Sequence, residues 1–420
     1  MSMTQTPPSP TPFHLRGNYA PVETEWTATE LEVRGTLPAE LNGTYVRNGP
    51  NPRPGRPSPI WFLGQGMLHG VRLVGGRALW YRNRWIDAPS TSNTHVVRHA
   101  GRTLALVETA APVEVDAELE TIGPTDFGGA LAHGMTAHPK TCPRTGELLF
   151  FAYTLDVPHL HYYRADRAGK VVQAEPIAVG APTYMHDFAI TEGHVLFFDL
   201  PLLYHGWRAS NPIAWTPAYG ARIGVLPREA SGRDIRWFDV APCTISHTVN
   251  AHEDGGRIVI DVVRGPHPGA PTTLWRYTID LASGHVSERE IDPLYLEFPR
   301  IDDRRTGVRY RYAYALELRD VQNGAPGGSV LRKLDLTTGG SQVHTAGADC
   351  VCGEATFIPR HHCTEEDDGW AIGFAYDRAR DSGLLVVVDA ADFEAPPVAT
   401  VSLPARVPFG FHGNWFAGAP

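Results

Sequence analysis

Short hydrophobic runs that follow turn residues recur along the whole chain. Each run is about five residues long and rich in Val, Ile, Leu and aromatic side chains, and Gly, Asn or Asp precedes it, as at residues 78–81, 103–107, 148–153, 195–199, 258–263 and 384–389. β-Branched and aromatic runs behind turn residues are typical of strands in antiparallel hairpins. A helical period of 3.6 residues is not sustained beyond two turns, so the pattern predicts an all-β protein.

The number of hairpins favours one architecture. No linker or change of composition divides residues 13–420, so we interpret them as a single domain. A propeller hides the sheet edges of so many hairpins better than a sandwich does. Seven blades would take about 60 residues each, more than the ~40–50 of compact repeats, which leaves room for loops and short helices over one face. The pattern predicts a β-propeller, but alone it leaves the number of blades open.

Composition excludes several classes of protein. The 42 glycines and 36 prolines fit a chain with many tight turns. A net charge of −9 without a basic block argues against nucleic acid as a partner. The longest apolar runs, such as residues 195–203, fall far short of the ~20 residues of a spanning helix. We therefore expect no transmembrane segment.

The amino-terminal residues and the cysteines indicate the compartment. Residues 1–12, MSMTQTPPSPTP, have neither a basic region nor an apolar one, so we expect a disordered lead-in rather than a secretory signal. The five cysteines are an odd number, which favours reduced thiols. Both observations predict a cytoplasmic protein.

Four of the 19 histidines each stand in a small cluster before a predicted strand: His138 in TAHPK, His186 in YMHDFAIT, His247 in SHTVNAHEDGG and His412 in PFGFHGNW. They lie tens of residues apart, which excludes a helical HExxH site and a zinc finger. Such spacing suits a propeller, where inner strands of different blades meet on one axis. The spacing alone leaves structural and metal-binding roles equally open.

Many motifs in the chain resemble those of the carotenoid cleavage oxygenases, a family that includes stilbene-cleaving enzymes. The resemblance covers nearly the whole chain, in the order LNGTYVRNGPNP, WFLGQGMLHGV, NTHVV, LALVETAAPVEVD, TAHPK, MHDFAIT, NAHEDGG, LEFPRID and RVPFGFHGNW. It implies a seven-bladed β-propeller with a helical cap. It also implies one Fe(II) on the axis, bound by four histidines.

Carried over residue by residue, the resemblance assigns the iron ligands to His138, His186, His247 and His412. One departure concerns the third ligand. Where many members of the family have two adjacent histidines, this chain has His247 followed by Thr248, so His247 is the only candidate there. His252 would point away from the site along an extended strand. Imidazole ligands with open coordination positions suit ferrous iron that binds dioxygen.

The resemblance also implies outer partners for the ligands. Histidine ligands usually donate their far N–H to a carboxylate, and matching motifs place these carboxylates at Glu108, Glu297 and Glu354. Three glutamates serve four histidines, so one ligand, by analogy His138, should lack such a partner. The family pattern places a threonine methyl over one iron position, here Thr94. From the sequence alone, Glu108 could equally pair with an arginine across a strand, and Thr94 could simply favour β-structure.

The substrate is indicated by two positions. Stilbene-cleaving relatives hold a phenolic hydroxyl with a Tyr and a Lys, and the matching residues here are Trp85 and Val107. Neither can polarise a phenol, which favours an apolar polyene. We therefore expect an Fe(II)-dependent dioxygenase that cleaves a C=C bond of a carotenoid or apocarotenoid into two carbonyl products. The alternatives are stilbene or phenylpropanoid cleavage on the same iron, and a non-catalytic propeller scaffold that contains no iron.

Two further segments allow alternative interpretations. Residues 201–220 are aromatic and poor in charge, as expected either for peripheral membrane contact near the mouth of a substrate tunnel or for packing over a blade. Near the carboxyl end, potential zinc ligands cluster at Cys350, Cys352, His361, His362 and Cys363. Their spacing fits no common zinc finger, and two buried thiols are the simpler interpretation.

Overall fold

The computed structural model describes residues 11–321 and 327–418. In this part of the chain, β-strands form seven sheets of four or five strands and one separate two-stranded hairpin. Each large sheet is one blade, so the predicted all-β, seven-bladed propeller is confirmed. The predicted lead-in over residues 1–12 lies outside the described residues except for its last two positions.

Blade 1 and blade 7 share the amino-terminal strands. The first five strands are β1 (Trp26–Ala28), β2 (Val33–Gly35), β3 (Gly43–Pro50), β4 (Gly66–Val74) and β5 (Arg77–Trp85). Of these, β3, β4 and β5 form the body of blade 1, with β1 on its outer edge. Strand β2 instead pairs with the last strand of blade 7.

Blades 2 to 4 follow in sequence. Blade 2 contains β6 (His95–His99), β7 (Arg102–Leu106), β8 (Val113–Val115) and β9 (Thr121–Pro124). Blade 3 contains β10 (Lys140–Thr141), β11 (Leu148–Tyr153), β12 (Leu160–Ala165) and β13 (Val171–Ile177). Blade 4 begins with β14 (Ala189–Ile190) and β15 (His194–Asp199), leaves the sheet for the hairpin β16 (Leu202–Tyr204) and β17 (Ile213–Trp215), and ends with β18 (Arg222–Pro227) and β19 (Arg236–Asp239).

Blades 5 to 7 complete the ring. Blade 5 contains β20 (Thr244–Asp254), β21 (Arg257–Gly265), β22 (Thr273–Asp280) and β23 (Val286–Asp292). Blade 6 contains β24 (Leu296–Arg300), β25 (Tyr312–Arg319), β26 (Gly328–Asp335) and β27 (Ser341–His344). Blade 7 contains β28 (Cys350–Pro359), β29 (Gly369–Asp377), β30 (Ser382–Asp389) and β31 (Ala399–Ser402), and the final strand is β32 (Gly413–Ala417).

Strand β32 closes the ring, because it pairs antiparallel with β3 and becomes the innermost strand of blade 1. Both ends of the described chain therefore belong to the same sheet. Every blade is antiparallel throughout, and Gly75-Gly76 and Gly255-Gly256 form turns in which both glycines have positive φ. Such paired positive φ angles match the twist of a tight hairpin, as the turn pattern of the sequence predicts.

The hydrophobic cores lie between neighbouring blades. One buried cluster joins blades 4 and 5 through Phe198, Ile260 and Tyr277, and another joins blades 7 and 1 through Tyr45 and Phe374. Because apolar side chains fill these spaces, the polar residues of the innermost strands collect on the propeller axis.

Helical structure in the described residues is confined to 3₁₀ turns of three residues each: Phe13–Leu15, Gly17–Tyr19, Trp61–Leu63, Pro217–Tyr219, Gly232–Asp234 and Asp303–Arg305. None is long and apolar enough to cross a membrane. Tyr19 of the second turn contacts Phe409 and Trp61 of the third contacts Phe411, both close to His412, and Phe13 of the first turn packs on Tyr19 and Trp61. Short helical turns therefore lie over the face that contains His412.

Candidate metal centre

The four histidines singled out by their motifs come from four different blades. His138 stands two residues before β10, His186 three residues before β14 and His412 directly before β32, whereas His247 lies inside β20. A register shift after Ile245 interrupts the β20–β21 ladder next to His247. The four histidines therefore come either from the residues just before an innermost strand or, for His247, from its first four residues.

The ring nitrogens of these histidines form one compact group. The Nε2 atoms of His138 and His186 are 3.0 Å apart, and those of His247 and His412 are 3.2 Å apart. One nitrogen from each ring lies within 4.8 Å of all the others, and no other such group of three or more potential ligands occurs in the described residues. The structure thus brings the four predicted ligands together.

The spacing fits a single first-row metal ion. Imidazole nitrogens lie about 2.0–2.1 Å from such an ion, so two ligands at right angles would be about 3 Å apart. The observed separations of 3.0 and 3.2 Å agree with this value. An all-imidazole donor set suits Fe, Zn, Cu or Ni and is a poor match for Mg²⁺ or Ca²⁺, which prefer oxygen.

Three of the four rings are held by carboxylates on the side away from the group. The Nδ1 of His247 donates to Glu297 at 2.8 Å, and that of His412 donates to Glu354 at 2.9 Å. His186 Nδ1 makes a short hydrogen bond to Glu108. A proton fixed on Nδ1 leaves the Nε2 lone pair free to point inward.

His138 differs from the other three. Among the described residues, no carboxylate lies within ion-pair distance of its ring. Burial, followed by the neighbouring imidazoles, lowers the pKa of His138 well below the ordinary value. It should therefore be neutral near pH 7, which is the form that binds a metal.

His412 behaves like His138, because burial, followed by the neighbouring His247 and His186, lowers the pKa of His412 well below the ordinary value. Burial disfavours the charged form of His186, but the carboxylates of Glu108, Asp187 and Glu297 together outweigh it, and the net effect raises the pKa of His186. Burial raises the pKa of Glu297, but its interactions with His247, Thr272 and Ser246 together outweigh burial, so the net effect lowers the pKa of Glu297. Glu297 is thus ionised and accepts the Nδ1 proton.

Several polar residues of the site are not apparent from the sequence. Asp187 pairs with Lys140 at 2.8 Å and accepts hydrogen bonds from Thr248. Arg300 donates to the carbonyl of Gly413 at 2.6 Å and approaches Glu354 at 3.4 Å. Their closeness in sequence to the ligands could have identified three of them, because Lys140, Asp187 and Thr248 each follow a ligand histidine by one or two residues.

Tyr184 is a further residue that sequence analysis did not identify. Its hydroxyl lies 3.1 Å from His186 Nδ1 and donates to Glu108 at 3.5 Å. Burial, together with Glu108, raises the pKa of Tyr184 well above the ordinary value, so the phenol stays protonated. The hydroxyl can therefore act as a second donor to the carboxylate that orients His186.

Thr94 adjoins the group through its backbone. Its carbonyl accepts a hydrogen bond from the backbone N–H of His412 at 3.1 Å, and its hydroxyl donates to Asn93 at 3.1 Å. The residue is buried. Whether its methyl group covers a coordination position stays a prediction.

Trp85 and Val107 stand in different surroundings. Trp85 ends β5, an outer strand of blade 1, where its indole N–H donates to the carbonyl of Asn51 at 2.8 Å and Arg53 stacks on its ring. None of its described contacts involves the four histidines. Val107 is half-buried and directly precedes Glu108. A role of either residue in substrate binding stays a prediction.

A row of aromatic rings leads from the histidines to the surface. Phe298 contacts both His247 and His412, with ring centres 5.5 and 5.3 Å apart. From there, Phe409, Trp61, Phe411 and Phe62 follow in contact, and Phe62 is 57% exposed. We call these five residues the aromatic lane. Sequence analysis did not single them out as site residues.

A cavity opens beside the histidines on the propeller axis. It has a volume of about 580 Å³ and is lined by His138, His247 and His412 together with polar residues such as Lys140, Asp187 and Arg300. Apolar residues such as Ile190, Val249 and Phe416 line the same cavity, so both the cavity and the aromatic lane offer apolar surface beside the histidines.

The alternative zinc ligands do not assemble. Cys350 and Cys352 lie on β28, and Cys363 instead accepts a hydrogen bond from Arg304 at 3.1 Å. In the described residues, no group of ligand atoms forms around these cysteines. All five cysteines are free, and Cys352 is buried.

The segment 201–220 is largely the hairpin β16–β17 beside blade 4. Trp207 packs on Tyr184 and Tyr204, and its indole donates to Thr109 at 3.1 Å. The hairpin therefore covers the side of the site that contains Glu108 and His186. For Trp207, the structure therefore agrees with packing over a blade, the second interpretation of this segment.

The fold and the axial histidine group define the class of protein: a seven-bladed propeller with a buried site suited to one metal ion. The chain matches the family model described as retinal pigment epithelial membrane protein over residues 19–90 and 86–417. It is 36% identical to the carotenoid cleavage oxygenase of Mycobacterium tuberculosis, with 99% of each chain covered.

Solved structures are similar over the same extent. The lignostilbene dioxygenase of Pseudomonas brassicacearum has a TM-score of 0.90 at 29% identity, with 98% of this chain and 100% of that chain covered. The cobalt-substituted apocarotenoid oxygenase of Synechocystis has a TM-score of 0.86 at 25% identity, with 96% and 98% covered. The chain belongs to the carotenoid cleavage oxygenase family. It is thus an oxygenase, which implies a small-molecule substrate and dioxygen as partners.

Proposed function

We propose that this protein is an Fe(II)-dependent oxygenase that cleaves one C=C bond of a carotenoid or apocarotenoid with dioxygen into two carbonyl products. The observation that carries the proposal is the inward-facing group of His138, His186, His247 and His412, which would hold the metal. Fe(II) in such a site supplies the binding and activation of dioxygen. Glu108, Glu297 and Glu354 would fix the ligand rings, and Thr94 would limit access to one coordination position.

The residues of the chain itself contribute orientation. A polyene lying along the aromatic lane would meet Phe298 last, directly against His247 and His412. The lane would hold one double bond at the site and keep water away from it, so proximity rather than acid–base chemistry is the contribution of the protein. No side chain of the chain needs to transfer a proton in this proposal.

Iron content and a substrate panel test the proposal. The protein is purified without oxygen, its iron is measured, and it is then incubated in air with apocarotenals and stilbenes. One iron per chain and two carbonyl products from an apocarotenal are the expected result. A non-catalytic scaffold would contain no iron and release no product, and that outcome would refute the proposed activity.

Cleavage of stilbenes on the same iron is the second candidate, favoured by the similarity to the Pseudomonas brassicacearum lignostilbene dioxygenase. We expect kcat/KM for an apocarotenal to exceed that for a 4-hydroxystilbene, because the aliphatic side chain of Val107 cannot donate a hydrogen bond to a phenol. Val107→Lys combined with Trp85→Tyr should shift the preference towards the stilbene. Wild-type preference for the stilbene by more than about tenfold, ~1.4 kcal/mol of transition-state binding, would make the second candidate the function.

We also propose that the hairpin β16–β17 and the loop 154–159, which joins β11 to β12 in blade 3, contact a membrane from which a lipophilic substrate would enter. Two apolar side chains of that loop are exposed, Leu155 by 50% and Val157 by 83%, and Leu155 lies beside Gly206 of the hairpin. Exposed apolar groups of this kind favour a lipid interface. The free cysteines support a reducing compartment, so we infer a cytoplasmic location with peripheral membrane contact.

Charge introduced at this loop should weaken vesicle binding. Leu155→Asp with Val157→Asp should lower co-sedimentation with phosphatidylcholine vesicles several-fold, because carboxylates do not enter the lipid interface, and should leave turnover of detergent-dispersed substrate unchanged. Val172→Asp is the matched control, since Val172 is 48% exposed on β13 of the same blade. Equal vesicle binding by both variants and the wild type would exclude contact through this loop.

A further inference from the structure

Three of the four ligand segments carry polar residues that bind one another directly beside the histidines. Asp187, which follows His186, accepts an ion-pair contact from the Lys140 ammonium at 2.8 Å on Oδ1. Its Oδ2 accepts two hydrogen bonds from Thr248, one from the backbone N–H and one from the hydroxyl, both at 2.8 Å. Lys140 stands two residues after His138 and Thr248 one residue after His247.

These contacts join blades that no sheet joins. The innermost strands β10, β14 and β20 belong to three separate sheets, so no strand ladder connects them. Asp187 is only 3% exposed and Thr248 only 6%, and the Thr248 hydroxyl lies also 3.0 Å from the Phe188 carbonyl. A buried carboxylate is held strongly in place when a charged donor binds one oxygen and neutral donors bind the other.

The spacing of the ligands depends on such contacts. A metal site functions only when its ligands stay within about 0.5 Å of their productive positions. Large parts of the interfaces between blades are non-directional apolar packing, which tolerates small sliding movements, whereas hydrogen bonds to one carboxylate fix distances and directions.

We propose that Asp187 is a positioning residue that, through Lys140 and Thr248, sets the separation of His138, His186 and His247 and thereby the affinity of the site for a divalent metal ion. This inference rests on the proposed function, because it assumes that the four histidines bind the metal. Asp187 is not itself one of the ligands, because the group of ligand atoms contains only nitrogens of the four histidines.

Three variants test the proposal by titration with Co²⁺, whose visible absorption bands report the geometry of its ligands. Asp187→Asn has only one accepting oxygen and must lose either Lys140 or Thr248 as a partner. Thr248→Val keeps its shape but loses the hydroxyl. Both should bind Co²⁺ about tenfold more weakly, the lower end of the usual loss for outer partners, with shifted absorption bands. Thr248→Ser restores the hydroxyl and should bind within about twofold of the wild type.

Asp199→Asn is the matched control. Asp199 is also fully buried in blade 4 and accepts hydrogen bonds from Tyr219, Arg222 and Thr183, but none of its described contacts involves a ligand histidine, Lys140 or Thr248. Its loss should lower the melting temperature of the metal-free protein without changing Co²⁺ affinity or the spectrum. Wild-type affinity and spectrum in both Asp187→Asn and Thr248→Val would overturn the inference. A wild-type protein that takes up no Co²⁺ or Fe²⁺ would instead refute the proposed metal site, and this inference with it.

Discussion

Replacement of His186 by Ala should abolish oxygenase turnover and metal retention while the all-β circular dichroism spectrum stays unchanged. The Nε2 of His186 lies 3.0 Å from that of His138, so its removal leaves a gap in the group where the metal would be held. We expect a loss of at least ~1000-fold in kcat/KM, about 4 kcal/mol of transition-state stabilisation. His138→Ala, His247→Ala and His412→Ala should behave alike.

His99→Ala separates loss of a ligand from loss of a buried histidine. His99 is buried in blade 2, and its Nε2 bonds to the carbonyl of Asp166, away from the axis. This variant should lose stability but keep its iron and its turnover. If any one of the four axial variants retains full iron content and activity, that histidine is not a ligand.

Local patterns of the sequence were sufficient to predict the strands and hairpins. Gly255-Gly256 lies between β20 and β21 with both φ angles positive, as its position between two hydrophobic runs predicts. The closure of the ring could not be predicted in this way. Pairing of β2 with β31 and of β3 with β32 joins segments from opposite ends of the chain, and no local pattern specifies such a register.

Sequence motifs also located the histidines and glutamates but not how they pair. The resemblance named Glu108, Glu297 and Glu354 as a set, and only the fold determines that Glu108 faces His186 whereas Glu354 faces His412. Phe298 was missed for a related reason. Its φ of 53° is unusual for a bulky residue and depends on the shape of the site rather than on its own preference.

The relation between Asp187 and its neighbours shows what motif reading leaves out. Asp187 lies inside a motif that is recognised by its histidine, and the motif carries no information about the contacts of the carboxylate. Its partners Lys140 and Thr248 come from other blades and become neighbours only when the ring closes. Contacts between blades can therefore be identified only from the folded structure, even where every participating residue lies in or beside a recognised motif.

The carboxylate behind His412 provides the second large effect. Glu354 accepts two hydrogen bonds: one from His412 Nδ1 to Oε1 at 2.9 Å, and one from the backbone N–H of Gly413 to Oε2 at 2.7 Å. Glu354→Gln replaces one of these acceptors by an amide N–H₂, so either His412 or Gly413 would face a donor. We expect the ring of His412 to lose its fixed tautomer and direction, with metal affinity and turnover reduced ~10–100-fold.

Glu317→Gln is the control for this substitution, because Glu317 lies on β25 and pairs with Arg319 and Arg332 rather than with a histidine. Iron bound per chain after dialysis against a chelator, and the melting temperature of each protein, are the measurements. Glu354→Gln should lose iron at an unchanged circular dichroism spectrum, whereas Glu317→Gln should keep it. Glu108→Gln and Glu297→Gln should follow Glu354→Gln, since each carboxylate holds a different ligand ring. Full iron occupancy and normal turnover in all three variants would mean that the glutamates merely fill space behind the histidines and do not orient them.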